Sequence, residues 1–158
     1  MRPSRAITLT LAGLLVVGVA GAVAFWRGGQ APAARPDLDA PELVALGGEV
    51  YGAHCASCHG AELQGETEDW RTRKATGRLP APPHDETGHT WHHPVDQLFA
   101  ITKHGIEAFA PEGYESDMPA YGETLSDREI WGVIAYIRSS WPEDIRRANA
   151  ERSAAGGG

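Results

Sequence analysis

"HCASCHG", residues 54–60, holds both cysteines of a 158-residue chain three positions apart, with a histidine directly after the second. Four chemistries use such a set. A disulfide between Cys55 and Cys58 would close a loop too small to restrain the unfolded chain much, which makes it a poor staple. A redox-active thiol pair expects a βαβ setting, and no run in this chain alternates with period two for long enough to make a strand. Structural zinc needs four protein ligands; Cys55, Cys58 and His59 supply three, and with no second cysteine pair the fourth would have to come from another histidine. Covalent haem uses all three residues: thiols one helical turn apart add to two vinyl groups, and the adjacent histidine becomes an axial ligand of the iron. Haem is the chemistry the motif favours.

The sequence around the motif supports an all-α, loop-rich domain. In "PELVALGGEVYGAHC" (41–55), Leu43, Leu46, Gly47, Val50, Tyr51 and His54 recur at spacings of three and four, and Pro41 suits a first helical turn. A helix is expected to deliver its end to Cys55. Each internal glycine costs a helix about 1 kcal/mol against alanine, so Gly47, one turn before Tyr51 on the same face, is expected where another backbone comes close. Residues 59–93 are mostly turn chemistry, ending in "LPAPPHDETGHTWHH". "PVDQLFAITKHG" (94–105) reads as a short helix with a glycine stop. In "SDREIWGVIAYIRSSW" (126–141), Ser126 and Glu129 have capping-box spacing and Ile130, Val133, Ile134 and Ile137 share one stripe. The tail from Pro142 has almost no apolar content and is expected to be disordered. The large apolar residues are too few to fill an obvious core, a gap that a haem would close.

At the other end, residues 6–26 carry no charge and, at about 1.5 Å per residue, reach roughly 30 Å, one hydrocarbon core. Arg2 and Arg5 precede the run, and Trp26 and Arg27 follow it. The expectation is a membrane anchor, with a cleaved signal peptide ("AVA" at 22–24) as the alternative. Both export the rest of the chain, as bacterial attachment of c-type haem requires. Residues 27–40, rich in Pro, Ala and Gly, read as a flexible linker, 41–141 as the folded domain and 142–158 as a polar tail. All 21 acidic residues lie from Asp37 onward, against ten of the 14 basic ones. So acidic a surface excludes nucleic acid as a partner and favours a basic protein surface.

If haem is present, Met118, followed by Pro119 and the only methionine besides the initiator, is the expected sixth ligand. His54, His84, His89, His92, His93 and His104 are the histidine alternatives. The stretches "GGEVYGAHCASCHG" (47–60) and "SDMPAYGETLSDREIWGVIAYIRS" (116–139) and the gap between them resemble class I c-type cytochromes, over roughly residues 41–141. The resemblance implies a small domain of three to four helices around one covalent haem c, after an N-terminal transmembrane helix. It implies that Cys55 and Cys58 hold the porphyrin while His59 and Met118 ligate the iron. It implies further that Gly47 and Tyr51 meet Val133 or Tyr136 where the first and last helices cross, and that a carbonyl of Pro80, Pro82 or Pro83 holds the other nitrogen of His59.

The function expected is single-electron transfer in a respiratory chain rather than enzymatic catalysis. The protein would be a monomer at a bacterial inner membrane with its haem domain in the periplasm, soluble there if the signal is cleaved, and its partners a terminal oxidase or a quinol-oxidising complex. Two alternatives stay open. One is a haem sensor or peroxidase-like enzyme with a weak or absent sixth ligand. The other is a metal-handling protein that uses the cluster His84, His89, His92 and His93.

Overall fold

The computed structural model describes residues 35–156. The expected anchor and most of the expected linker lie outside the described residues. Within them the chain forms five α-helices and no strand: α1, Pro41–His54; α2, Ala56–His59; α3, Val95–His104; α4, Asp127–Ser139; and α5, Glu143–Ala155. Short 3-10 turns at Thr90–His92 and Ile106–Phe109 punctuate the loops.

The helical stripes read from the sequence are buried in most positions. On α1, Leu43, Gly47, Val50 and Tyr51 are buried, whereas Leu46 is half-buried and His54, at the helix end, is exposed. On α4, Ile130, Val133, Ile134 and Ile137 are buried, and Ser126 caps the helix reciprocally with Glu129. α1 and α4 cross in backbone contact. A Cβ placed on Gly47 would lie 1.8 Å from the Gly132 carbonyl oxygen and 2.9 Å from Tyr136 Cβ. The expected partner Tyr136 is there, but the closest approach is to Gly132 rather than Val133. Beside the crossing the Tyr51 and Tyr136 rings sit 5.3 Å apart. α3 joins through Phe99, stacked on Trp131 of α4 at 4.4 Å.

Two expectations about the ends are corrected. Leu38, placed in the linker, is buried in the core, so packing begins ahead of Pro41. The tail expected to be disordered forms α5, which needs no apolar stripe because polar groups dock it. Asn149, fully buried, donates to the carbonyls of Trp91 (3.0 Å) and His93 (2.8 Å) and accepts from Arg138 Nη1 (3.1 Å). The Ser153 hydroxyl accepts the backbone N–H of Val95 at 3.1 Å, the first residue of α3. Acidic Glu143 and Asp144 in its first turn and Arg152 in its last match the helix dipole.

Candidate haem-binding cleft

The C-A-S-C-H turn is built by backbone bonds. α1 hands over to the one-turn α2 with His59 N–H donating to Cys55 O at 2.9 Å and Gly60 N–H to Ala56 O at 2.9 Å. Gly60 then takes φ +80°, a left-handed angle that suits glycine, and turns the chain away. The Tyr51 hydroxyl donates to the Gly60 carbonyl at 2.9 Å, tying the helix before the motif to the residue after it. Cys55 and Cys58 are not joined to each other by a disulfide. Burial, and secondly the neighbouring Cys58, push the Cys55 thiol up to about 11. That is the reverse of what a redox-active nucleophile needs at that position.

His59 is buried, and its Nδ1 lies 2.8 Å from the carbonyl oxygen of Pro82. A carbonyl only accepts, so Nδ1 carries the proton and Nε2 is left with a bare lone pair, the form in which an imidazole ligates a metal. Desolvation holds the ring below the ordinary histidine value, against the opposing Pro82 bond, which keeps it neutral. Of the three prolines open from the sequence, Pro82 is the one that meets the ring. His84 stacks on His59 at 4.0 Å and 21° and gives its Nδ1 to Thr90 Oγ1 at 2.8 Å. A ring stacked there stands beside His59, not across from it.

A cleft of about 490 Å³ opens from this turn, with Cys55, Cys58, His59 and Met118 all on its wall. Aliphatic side chains of α3 and α4, among them Leu98, Ile101, Val133 and Ile137, form much of the rest. Unfilled, these groups would face water; a large flat apolar cofactor with two thiol attachments and two axial donors fits both the shape and the donor set. Met118 is half-buried, and its N–H donates to Ser116 Oγ at 3.0 Å. The Tyr121 hydroxyl, three residues on, donates to the His54 carbonyl at 2.9 Å and fixes the far end of the same segment to α1.

The other side of that segment is fastened by charge. Lys74 reaches Glu66 and Asp117, both at 3.1 Å, and Arg78 reaches Asp117 at 2.5 Å and Glu115 at 3.4 Å. Arg78, then Lys74, hold the Asp117 carboxyl below the usual range, and the Ala81 N–H, then Lys74, do the same for Glu66. Pairs 37 and 39 residues apart leave no local trace in the sequence.

The histidine-rich stretch divides. His84, His89 and His93 line the cleft, as does His54, whereas His92 and His104 do not. His92 stacks on Trp91 at 3.6 Å. Trp91 donates its Nε1–H to the Glu86 carbonyl at 3.3 Å. Trp70, which sequence reasoning passed over, is the tryptophan in the cleft. Among the described residues no three His, Cys, Asp or Glu side chains are placed to hold a second metal ion.

A family model described as "Cytochrome C oxidase, cbb3-type, subunit III" matches residues 42–137. The chain is similar to "Cbb3-type cytochrome c oxidase subunit FixP" of Azorhizobium caulinodans, 29% identical over 63% of this chain and 31% of that protein. It is 29% identical to a "Thiosulfate dehydrogenase" of Stutzerimonas stutzeri over 83% of this chain and 42% of that protein. It is 28% identical to "Cytochrome c-555" of Prosthecochloris aestuarii over 65% of this chain and 92% of that protein. The matches thus cover under half the length of the first two relatives and nearly all of the third. No solved structure matches the chain.

Proposed function

Because the chain belongs to the cytochrome c family of the cbb3-type subunit III model and its cofactor is haem c, we propose that it is a respiratory single-electron carrier with His59 and Met118 as axial ligands. The bound haem supplies a one-electron ferric/ferrous couple. Cys55 and Cys58 hold it through thioethers on the rim of the cleft. His59, fixed in its Nδ1–H form by Pro82, would offer Nε2 to the iron, and Met118 would offer its thioether. The aliphatic walls from α3 and α4 would exclude water from a haem bound there, which together with a thioether ligand would favour the ferrous state. Two protein ligands leave no open position for a substrate, so the chain moves electrons and makes no bonds.

The observation that carries this reading is the convergence of all four residues on one apolar cleft, with the His59 tautomer already set. The test is the optical spectrum of the purified ferric protein and of Met118→Ala. The weak sulfur-to-iron charge-transfer band at the near-infrared edge is expected in the first and absent from the second. Absence from both would remove Met118 as a ligand. Strong carbon monoxide binding by the ferrous wild type would then move the protein toward ligand sensing or catalysis, as the thiosulfate dehydrogenase relative illustrates.

The proposal extends to location and partners. Residues 6–26 serve as an anchor that holds the domain, through the Pro/Ala-rich linker, on the periplasmic face of a bacterial inner membrane. There it exchanges electrons with a terminal oxidase or a quinol-oxidising complex. The resemblance to an oxidase subunit supports the partner class. Among the described residues no helix is long and apolar enough to cross a membrane. N-terminal sequencing of the membrane fraction decides the anchor: a mature chain that starts near Trp26 would refute it.

A further inference from the structure

A second, shallower groove of about 430 Å³ lies where the start of α1 meets α4 and α5, walled by Asp39, Val44, Arg138, Glu143, Arg146 and Arg147. It shares no lining residue with the cleft at the C-A-S-C-H turn. Three of these six side chains are guanidiniums, on a chain whose residues from Asp37 onward are acidic in sum. The local charge thus runs against that of the surface around it.

Arg138 is a buried cation without a close counter-charge. The residue is 8% exposed. Its Nη1 donates to Asn149 Oδ1 at 3.1 Å, a neutral acceptor. Its Nε is buried and has no hydrogen-bond partner. Its Nη2 faces Asp39 Oδ1 at 3.7 Å, beyond hydrogen-bond length, and that carboxylate is itself 76% exposed. Nε–H and Nη2–H lie along one edge of the planar guanidinium, the edge that grips an oxyanion through two parallel bonds. That edge is unspent. A buried donor left unmet costs free energy until an acceptor reaches it.

The neighbouring arginines indicate what kind of acceptor fits. Arg147 is engaged by Glu143 at 3.3 Å, one helical turn away, in an exposed pair. Arg146 is half-buried and makes no ion pair or side-chain hydrogen bond among the described residues. The Arg138 edge alone suits a carboxylate. Arg146 beside it adds a second positive charge and further donors, more than one carboxylate can use, whereas a phosphate presents oxygens on several sides and up to two negative charges. We propose that this groove binds a phosphate-class oxyanion, held side-on by Nε and Nη2 of Arg138 and drawn in by Arg146. Two sources offer that chemistry, free inorganic phosphate and the phosphodiester of a lipid headgroup. Asp39 and Glu143 offset part of the positive charge, so the binding is millimolar rather than micromolar.

The experiment is isothermal titration calorimetry of the detergent-solubilised holoprotein, in a buffer free of oxyanions, with two probes: inorganic phosphate and dihexanoyl phosphatidylglycerol. Saturable binding of at least one is expected, with a Kd of about 1 mM. The tighter of the two identifies the source. Arg138→Lys, which keeps the charge and loses the two-bond edge, should weaken that binding about tenfold, and Arg146→Gln should do the same. Arg128→Gln removes an exposed charge that does not line the groove and should bind like wild type. No saturable binding of either probe overturns the proposal. So does equal affinity in Arg146→Gln and Arg128→Gln, or a folded Arg138→Lys that binds like wild type. Should Arg138→Lys fail to fold, Arg146→Gln against Arg128→Gln decides alone.

Discussion

Replacing Gly47 by alanine sets one methyl group against the backbone of another helix. The new Cβ would stand 1.8 Å from the Gly132 carbonyl oxygen and 2.3 Å from its carbon, whereas ordinary contact is about 3.5 Å. Neither atom belongs to a flexible side chain, so α1 and α4 have to part by about 1.5 Å, enough to forfeit at least half the dispersion energy across the seam. Overpacking of this kind costs about 3 kcal/mol, against about 1 kcal/mol gained in helix propensity, for a net loss of about 2 kcal/mol. Gly52, on the same helix, has nothing within 4 Å of its added Cβ, and its alanine variant should gain about 0.7 kcal/mol. At a urea dependence of about 1.5 kcal/mol/M the two midpoints should stand nearly 2 M apart. Gly48→Ala, which meets only the Tyr136 ring at 3.4 Å, should fall between them. The assay is urea unfolding of the holoprotein followed by far-ultraviolet circular dichroism and by haem absorbance. Equal midpoints for the Gly47 and Gly52 variants would show that the helices do not cross at Gly47.

Three further outcomes are expected. Asn149→Ala leaves the Trp91 and His93 carbonyls and Arg138 without their partner and should cost about 2–4 kcal/mol in the same unfolding assay, with α5 released first to limited proteolysis; resistance equal to wild type would contradict a docked α5. Ser126→Ala should cost about 1 kcal/mol. Because the Ser126 hydroxyl, then its backbone N–H, hold Glu129 below its ordinary value, that carboxylate's contribution is complete above the unfolded pKa and is lost as pH falls through the lower folded one. Glu129→Gln should therefore flatten the acid limb of stability against pH, and an unchanged limb would count against the capping box. Asp117→Asn takes one carboxylate from both Lys74 and Arg78, leaving them only Glu66 and Glu115, and the ferrous variant should bind carbon monoxide severalfold more than wild type, with a smaller change in Glu115→Gln, which loosens Arg78 alone and leaves it Asp117. Identical binding would mean that the ion pairs do not restrain the Met118 segment.

What could be read from the sequence is what depends on near neighbours. The buried stripes of α1 and α4, the capping box at Ser126 and the glycine stop at Gly105 are patterns within four residues, and each stands where expected. Gly47 announced a close approach because a glycine inside a helix has no local use. Its partner Gly132 was not legible, since register between helices 85 positions apart is set by the packing of both. α5 was missed because one buried Asn149 and one Ser153 dock it, and hydrogen bonds to distant carbonyls leave no periodicity. In the same way three prolines within four residues looked equivalent until the backbone pointed one carbonyl at His59. The motif gathered Cys55, Cys58 and His59 by adjacency, whereas Trp70 and the Lys74–Asp117 tie enter the cleft only through the path of the loops.

The cleft thus closes by two unlike fastenings. At the crossing of α1 and α4 the seal is backbone against backbone, with nothing ionic in it, and dissolved salt leaves it untouched. Where the Met118 segment meets the loop of Lys74 and Arg78, the ties are ion pairs at the surface, and these weaken as counter-ions crowd in. Ionic strength therefore works on one jaw of the molecule alone. Raised far enough, it slackens the thioether's side while the imidazole's side stays clenched, and the protein should open there before it unfolds.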